Sequence, residues 1–416
     1  MQALGQQPFK ASGLSRIHYE RHRPEGRALY RLVQQHAATF FAQVEAATGT
    51  GLPRFVKDEF DAFLECGILA HGFLRLRCAD CAHDKPVAFS CKRTGFCPSC
   101  GARRMSGTAA HLVDHVIPVV PVRQWVLSLP IPLRLLLAAQ PELITPVLQV
   151  VQRVLSRYLL GQAGIKAGEG DCGSVTLIQR LGSAANLNIH LHCLVLDGVY
   201  RTNAKGEPEF VEAAPPSDEQ VWEVLQSIIK RVMMQLVRRG ILVEDQGETY
   251  LADDEDDSDE ARVLRPLHRG SCVYRIAFGP RAGQKVLTLQ GALPREASGK
   301  QKLCTNSQGF RLHAAVRCGA GQRKTLERLC RNITRPALAN DRVQVNAAGQ
   351  VELKLKTPWR DGTTHQVMST ACWPRMRSCA PRWCPIRLMS LLRKSHRRRT
   401  ARQLSADRCT WVGRSS

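Results

Sequence analysis

The chain has 416 residues, of which 44 % are hydrophobic and 23 % charged, and its formal net charge is +23. This composition is typical of a globular protein of two or three domains and excludes a fibrous or wholly disordered chain. No apolar run reaches the ~18–20 residues that a membrane helix needs. The first residues, MQALGQQPFKASG, also lack the apolar core of a signal peptide. We therefore expect a cytoplasmic protein, neither secreted nor in a membrane.

The positive charge favours a polyanionic partner, most simply nucleic acid. Lysine and arginine number 59, against 36 aspartate and glutamate residues, and such an excess attracts phosphate backbones. The end of the chain is the most basic part, with 12 basic residues and one acidic residue between Thr370 and Ser416. Sixteen cysteines in a chain without an export signal indicate metal ligation rather than disulfides.

Helical patterns dominate the first part of the chain. Apolar residues recur at helical spacing over 27–38 and 55–69, and they predict two helices. A cysteine-rich stretch follows, from 73 to about 104. The long apolar region over 111–160 is also predicted to be helical, with breaks at its prolines.

Strand patterns begin at Gly173. Two apolar runs, GSVTLIQR and NLNIHLHCLVL, predict neighbouring strands joined by a short polar connection. Ser217 and Gln220 form a capping box, which predicts that the next helix begins there. The remaining predicted elements are a strand pair over 272–278 and 285–289, a short helix over 325–335, and a β-meander over 342–345, 351–356 and 363–368.

Two CxxC pairs lie in the cysteine-rich stretch, separated by fifteen residues. Two residues between paired cysteines let a tight turn present both sulfurs to one ion, and Zn²⁺ takes four such ligands in a tetrahedron. The spacing predicts a zinc ribbon whose ligands are Cys78, Cys81, Cys97 and Cys100. A pair of redox or merely buried thiols is the competing interpretation. Cys91 stays open, as a core or surface thiol or as a substitute ligand.

The strand predicted over 186–196 carries two histidines at positions i and i+2. Because strand side chains alternate between faces, Asn188, His190 and His192 share one face, and the apolar residues between them share the other. Two imidazoles on one face can chelate a divalent ion, whereas the alternative is a pair of partly exposed histidines. Gln179, on the preceding strand, is our candidate for a third ligand, with a polar sheet residue as the alternative.

Basic residues accompany both the cysteines and the helix predicted over 325–335. That helix has an apolar stripe that includes Leu326 and Ile333, and basic side chains lie on the opposite side. We interpret the basic residues as contacts to DNA phosphates, and a solvated basic surface is the alternative for each. The candidates are Arg103, Arg104, Lys324, Arg328, Arg331 and Arg335.

Four blocks of sequence, in this order along the chain, resemble one known family. They read HYERHRPEGRALYRLV, CADC…FSCKRTGFCPSC, NLNIHLHCLVLDGVY and LCRNITRPALANDRV. The third block resembles the HUH motif of rolling-circle transposases, in the IS-ninety-one-like and common-region group of insertion sequences. The similarity extends from about His18 to Met368, which is nearly the whole chain before the basic end.

The resemblance implies both a fold and a partner. It implies an α+β protein in which N-terminal helices and a zinc ribbon precede an HUH-endonuclease-like antiparallel sheet with helices. The corresponding domains are expected at 1–110, for DNA binding, and at 111–368, for catalysis, followed by a disordered basic tail over 369–416. The implied partner is DNA, in the form of single-stranded insertion-sequence ends, within the bacterial nucleoid.

The resemblance also implies a mechanism, from which this chain departs at one position. In the family the histidine pair holds Mg²⁺ or Mn²⁺, and a tyrosine on a helix attacks a phosphate of single-stranded DNA to form a 5′-phosphotyrosine. The family block reads LCRYITRP where this chain has LCRNITRP, so Asn332 occupies the nucleophile's position. Two-tyrosine relatives carry their other tyrosine where this chain has Arg328. A carboxamide cannot form a phosphotyrosine, so the resemblance implies a transposase that has lost its nicking activity.

Two other functions stay open at this point. One is a non-catalytic DNA-binding protein, and the other is a zinc-ribbon module with a structural remainder. The end of the chain bears on its history, because Cys372–Cys379, back-translated and read two bases later, resembles the in-frame end of family members. We interpret this tail as the product of a deletion and frameshift after Met368, with a basic nucleic-acid-binding arm as the alternative.

Overall fold

The computed structural model describes residues 23–93, 95, 97–245, 248–251, 258–279, 281–290, 302–359, 361–369 and 410–411. Within these ranges the protein is α+β, as the sequence predicts. The helices of the described residues are α1 (Ala28–Thr48), α2 (Arg54–Glu65), α3 (Pro98–His111), α4 (Ile131–Ala139), α5 (Ile144–Gln162), α6 (Asp218–Val237), α7 (Asp259–Cys272) and α8 (Arg323–Thr334). Their strands are β1 (Phe73–Arg77), β2 (Asp84–Ala88), β3 (Val122–Ser128), β4 (Gly170–Asp171), β5 (Ser174–Leu181), β6 (Leu187–Leu196), β7 (Gly198–Thr202), β8 (Pro208–Glu212), β9 (Leu242–Asp245), β10 (Glu248–Leu251), β11 (Leu287–Gln290), β12 (Cys304–Ser307), β13 (Phe310–Cys318), β14 (Val343–Val345), β15 (Gln350–Lys354), β16 (Thr363–Ser369) and β17 (Thr410–Trp411).

An antiparallel sheet lies at the centre, with the strand order β12-β13-β3-β6-β5-β17 within the described ranges. The two neighbouring strands predicted from the apolar runs are β5 and β6, which pair as expected. The helix predicted through 111–160 is wrong over Val122–Ser128, which forms β3 and pairs with β6. Pro121 and Pro130 bracket this short run, and pairing to β6 satisfies its backbone groups, so tertiary context overrides the apolar periodicity.

The two faces of the sheet are covered differently. One face carries Leu187, Ile189 and Leu191 of β6 into a core formed with α4, α5 and α6. On the other face, Leu194 and neighbouring apolar residues pack against α8 through Cys330. Because α8 is shorter than α5 and α6, it covers less of this face, and the end of β6 that carries His190 and His192 stays half-buried.

Two helices of the first core, α4 and α5, are rich in apolar residues. No single helix in the described part is long and apolar enough to cross a membrane. The segments Ile131–Ala139 and Pro141–Gln162 pass such a test only as a pair, and they are bent by 112° relative to each other. Their apolar side chains lie inside the core against the sheet.

A separate core joins the N-terminal helices to the β-meander. It contains residues of α1, α2 and α7 together with the sheet of strand order β11-β16-β15-β14. The predicted meander corresponds to β14, β15 and β16. Leu29 and Val351 belong to the same core, so it includes residues from both sides of the boundary expected at 110. The strand predicted over 272–278 is wrong, because α7 extends to Cys272 and only Arg275 forms a bridge, with Lys285.

The helix predicted at Ser217 begins as expected. The Ser217 hydroxyl accepts the backbone N–H of Gln220 at 3.2 Å, and the Gln220 side-chain oxygen accepts the N–H of Ser217 at 2.9 Å. This reciprocal pair satisfies two of the donors that a helix N-terminus leaves free. Of the tail expected to be disordered after 369, only Thr410–Trp411 is described, and it pairs with β5. The frameshift interpretation concerns residues outside the described part of the chain.

A buried ion pair ties β6 to β3 and β13. Asp197, which is 3 % exposed, accepts two hydrogen bonds of 2.9 Å from Arg123 and one of 2.6 Å from Arg317. Arg123 is itself 3 % exposed and also donates to the carbonyl of Ala314 at 3.1 Å. A charge buried to this degree depends on its partner, because the guanidinium has left bulk water.

Asp197→Ala is therefore expected to lower the free energy of unfolding by about 3–5 kcal/mol, since it leaves Arg123 buried without a counter-ion. Glu212→Gln is the matched control. Glu212 also pairs with Arg317 but is exposed, so its loss should cost less than about 1 kcal/mol. Urea unfolding measures both values. Equal losses from the two variants would show that the buried pair does not stabilise the sheet.

Candidate zinc centre and histidine site

Four cysteine sulfurs meet where α2 ends and α3 begins. They lie within 4.8 Å of one another and belong to Cys66, Cys91, Cys97 and Cys100. The separations are 3.6 Å for Cys66–Cys100, 3.5 Å for Cys91–Cys100 and 3.6 Å for Cys66–Cys97. Tetrahedral Zn²⁺ with Zn–S bonds of about 2.3 Å requires sulfurs about 3.8 Å apart. The cluster therefore has the size and ligand type of a structural zinc site.

Local structure brings the four sulfurs together. Cys66 directly follows α2, whereas Cys97 and Cys100 bracket the first turn of α3, where Pro98 at the first position has a φ suited to the helix. Cys91 comes from the segment between β2 and α3, and its N–H donates to the Cys66 sulfur at 3.3 Å. Such an N–H bond stabilises negative charge on sulfur.

Hydrogen bonds among the sulfurs distribute their protons unevenly. The bond to Cys100, with contributions from the other sulfurs and burial, raises the pKa of Cys97. The bonds from Cys66, Cys91 and Cys97 lower the pKa of Cys100, and the N–H of Lys92 also contributes. Metal ligation requires thiolates, so a bound Zn²⁺ would replace the protons that remain on these sulfurs.

This geometry corrects the ligand set predicted from spacing. Cys66 and Cys91 occupy the places predicted for Cys78 and Cys81, which are exposed at the tip of the β1–β2 hairpin. The fifteen residues between the two CxxC pairs include β2, which runs back along β1 and does not bring the hairpin tip to α3. The one sequence signal that marks Cys91 as a ligand is its position six residues before a CxxC pair. No sequence signal marks Cys66, because the packing of α2 is what brings its sulfur to the cluster.

The zinc cluster supports α3, and α3 in turn packs against α8. A Cβ placed on Gly101 of α3 would lie 2.7 Å from the Cβ of Pro336, so the contact after α8 requires glycine there. The Thr334 hydroxyl also donates to the carbonyl of Met105 at 3.4 Å. The cysteine centre and the helix that carries Asn332 are therefore parts of one packed unit.

The two histidines of β6 share one face, as predicted. Their ring centroids are 4.8 Å apart, and both side chains are half-buried. The Nδ1–H of His190 donates to the carbonyl of Asn188 at 2.6 Å, which leaves the Nε2 lone pair of His190 available. Gln124 of β3 contacts Nδ1 of His192 at 2.8 Å. The Gln124 atom in this contact is the amide nitrogen, which donates to Nδ1. Rotation of the amide by 180° would place its oxygen there, so that Nδ1 would donate and Nε2 of His192 would carry the lone pair that a metal needs.

Two buried polar atoms on this face have no hydrogen-bond partner within the described structure. They are Nε2 of His192 and Oδ1 of Asn188. Buried polar atoms are almost always satisfied, so a buried nitrogen and a buried oxygen in this state fit a divalent cation. Gln179 pairs directly with His190 across β5 and β6, and its amide N–H donates to the carbonyl of Ile333. It therefore lies beside the histidines and connects them to the end of α8.

The electrostatic surroundings of the pair are cationic. Burial lowers the pKa of His190 to about 4 and that of His192 to about 3, and nearby positive charges add to both effects. The charges are those of Lys356, which acts on both rings, and Arg134, which acts on His190. Burial also lowers the pKa of Lys356 to about 8, with Arg342 contributing. The rings are thus neutral at pH 7, as metal ligation needs, in a setting that attracts anions.

The metal-free protein is expected to lose stability as pH falls below about 6.5. An unfolded histidine binds a proton near 6.5, whereas the folded pair stays neutral until about pH 4 and 3. The unfolded state binds more protons throughout that window, so the free energy of unfolding falls there, by up to about 2 kcal/mol per histidine at pH 5. Above pH 6.5 the pair contributes no pH dependence.

Urea unfolding in chelator at about pH 7.5 and about pH 5 measures this loss. The variant His190→Asn/His192→Asn removes both titrating groups and should lose correspondingly less stability on acidification. If the variant and the native protein lose the same amount, the low proton affinity of the pair is contradicted.

Asn332 is exposed on α8, and its side-chain oxygen accepts a hydrogen bond of 2.9 Å from Arg335. The predicted apolar stripe is present, since Leu326, Cys330 and Ile333 are buried. Ile333 follows Asn332 in the chain, and its carbonyl accepts a hydrogen bond from Gln179, which pairs with His190. Asn332 is therefore one residue from a direct connection to the histidine face.

The predicted DNA-contacting residues divide into two groups. Three have protein partners: Arg104 donates to the carbonyl of Lys92 at 2.9 Å, Arg331 pairs with Glu327 at 2.6 Å, and Arg335 donates to the Asn332 side chain at 2.9 Å. The others are exposed on α3 and α8: Arg103, Lys324 and Arg328. Sequence reasoning missed Gln124 and Lys356, since a helix was predicted where β3 lies and nothing in the pattern brings residue 356 to β6.

Two family comparisons match the chain over these two sites. Residues 32–129 match the transposase zinc-binding domain of the IS91 type, and residues 173–372 match the transposase family Y2_Tnp. No curated protein and no solved structure matches the chain. The four-cysteine cluster lies inside the first region, so its metal is a structural Zn²⁺. The chain, with its histidine strand and α8 inside the second region, belongs to the IS91-like transposases, whose partner is DNA.

Proposed function

We propose that this transposase binds single-stranded ends of its insertion sequence and holds Mg²⁺ or Mn²⁺ through His190 and His192. We further propose that it is arrested before strand cleavage, because Asn332 stands where the family has its nucleophile. The observation that carries the proposal is the pair of neutral rings 4.8 Å apart, with the buried Nε2 of His192 lacking a partner among the described residues.

The residues around the pair suit a phosphate substrate. A bound divalent ion would polarise the scissile phosphate and stabilise its developing charge. Lys356 and Arg134 bring positive charge to the same place, where they would hold the phosphate against the histidine face. The Oδ1 atom of Asn188 and the amide of Gln179 are the candidates for a third ligand.

The exposed basic residues of α3 and α8 provide a path for the DNA backbone toward this site. Arg103 and Arg328 lie on two helices that pack against each other, and each phosphate contact adds salt-dependent affinity without sequence preference. Arg335 contacts Asn332 and would act at the nucleophile's position. Together these positions direct a strand from the zinc-binding region to the histidine face.

Manganese binding tests the proposal directly. In zinc-loaded protein, His190→Ala and His192→Ala should each weaken Mn²⁺ affinity on the order of 10–100-fold, as measured by paramagnetic resonance of free Mn²⁺. The matched control is His313→Ala. His313 lies on the same sheet face, in the row of His192, but Val126 of β3 separates them, so this variant should keep native affinity. Retained binding in the double His190/His192 variant, or an equal loss in His313→Ala, would overturn the proposal.

A non-catalytic DNA-binding role is the second candidate, and Asn332 is the observation that favours it. A chain that keeps the zinc centre and basic helices but lacks the nucleophile would occupy element ends without cutting them. Competition with a nicking-competent relative for the same single-stranded oligonucleotide measures this role.

A further inference from the structure

The β1–β2 hairpin presents apolar side chains that nothing in the described structure covers. Every residue of β1 is exposed. Phe73, Leu74 and Leu76 are 50 %, 56 % and 53 % exposed, and Phe89, just after β2, is 51 % exposed. Isolated exposed apolar residues are normal on protein surfaces, but several on one short hairpin mark an interaction surface. A two-stranded hairpin is also marginally stable by itself.

A CxxC turn lies at the tip of this hairpin, and both of its cysteines, Cys78 and Cys81, are exposed. The nearby backbone N–H groups of Cys81 and Asp80 lower the pKa of the Cys78 thiol. The Cys78 N–H donates to the carbonyl of His83 at 2.9 Å, and Ala82 N–H donates to the Cys78 carbonyl at 3.1 Å. Ala82 has a φ of +54°, in the left-handed region that few non-glycine residues adopt. A tight turn with two residues between its cysteines can present both sulfurs to one ion.

Two further ligands for this pair are not found nearby. Among the described residues, the one group of three or more metal-ligating side chains is the cluster of Cys66, Cys91, Cys97 and Cys100. A zinc tetrahedron at the tip therefore requires ligands from outside the described part of this chain. A two-fold axis through the ion would supply the same two sulfurs from a second copy, and homodimers of this symmetry are the commonest oligomers.

We propose that Cys78 and Cys81 of two copies bind one shared Zn²⁺ and so join two transposase chains through their β1–β2 hairpins. The four thiols release their protons to solvent as they bind, and no oxidant or reductant is needed. The same axis brings the exposed apolar residues of both hairpins together beside the ion. Arg77, next to Cys78 and exposed, supplies positive charge beside a site whose four thiolates and Zn²⁺ sum to a net negative charge. This site is independent of the histidine chemistry proposed above.

Light scattering with zinc analysis of the full chain, in a phosphine reductant, tests the proposal. The native chain should be a dimer with about 1.5 zinc ions per chain, one for each four-cysteine cluster and one shared. Cys78→Ser/Cys81→Ser should be a monomer with about one zinc ion per chain. Cys172→Ser, which alters a partly buried cysteine far from the hairpin in sequence, should remain a dimer with the native zinc content.

A second measurement on the native chain does not depend on any variant folding. A chelator added stepwise should remove the exposed, shared zinc first, so the dimer should dissociate with the loss of about half a zinc ion per chain while the zinc of the four-cysteine cluster stays bound. Three results would overturn the proposal: a native monomer, at any zinc content; a dimer that survives both cysteine substitutions; or a dimer that dissociates when the reductant is added, which would indicate a disulfide instead.

Discussion

Cys91→Ser is expected to abolish zinc binding at the α2–α3 cluster and to unfold the segment around it. The Cys91 sulfur is 3.5 Å from that of Cys100 and is one of four within 4.8 Å, so its loss leaves three ligands. Structural zinc sites contribute on the order of 10 kcal/mol to folding, which exceeds the stability margin of most domains. Zinc analysis and amide hydrogen exchange of α3 measure the two effects.

Cys81→Ser is the control that distinguishes the ligand set seen in the structure from the ligand set predicted by the spacing of the cysteines. A ribbon held by Cys78, Cys81 and the α3 cysteines would unfold in Cys81→Ser and would stay folded in Cys91→Ser. The structure instead predicts that Cys81→Ser keeps the cluster zinc and native protection in α3, because Cys81 is exposed at the hairpin tip. Loss of α3 protection in Cys81→Ser with native behaviour in Cys91→Ser would restore the original ligand set.

The effect of zinc loss should extend to α8. Because α3 contacts the end of α8 through Gly101 and Pro336, unfolding of α3 removes one side of the packing that positions Asn332. Faster exchange in α8 is therefore expected in Cys91→Ser, whereas β6, which lies in the central sheet, should keep its protection.

Asn332→Tyr is expected to give the protein a strand-cleaving activity that, by our proposal, the native chain lacks. The phenol supplies a nucleophile that can form a phosphotyrosine, whereas the carboxamide cannot. Because removing a nucleophile typically costs many orders of magnitude in rate, the gain in covalent adduct with a single-stranded element-end oligonucleotide should be on the order of 10³-fold or more. Denaturing gels in Mn²⁺ measure the adduct.

Two controls make this result specific. Asn332→Phe has a ring of nearly the same size but no hydroxyl, so it should form no adduct. Asn332→Tyr/His192→Ala should also form none, since it keeps the nucleophile but lacks a metal ligand. An adduct formed by the native chain would contradict our interpretation of Asn332. The first candidate for its origin would be Tyr274, a partly buried tyrosine with a φ of +57° near Arg134.

Local patterns determined a large part of this protein from sequence alone. The alternation along β6 placed His190 and His192 on one face because side chains of a strand must alternate. The capping box placed the start of α6, and the apolar stripe placed the buried side of α8, for equally local reasons. The zinc-binding character of the cysteine-rich stretch was also correctly predicted, because thiolates at short spacing favour one metal.

Tertiary structure decided what no local pattern could specify. Cys66 joins the zinc cluster only because α2 ends against α3, and Gln124 reaches His192 only because the run over 122–128 is a central strand rather than a helix. Lys356 approaches the histidines after more than 150 intervening residues. Each of these contacts depends on how elements pack, which is set by burial of whole faces rather than by the spacing of nearby residues. The sequence therefore determines which kinds of side chain are available at each site, and the packing of helices and strands determines which of these side chains come into contact.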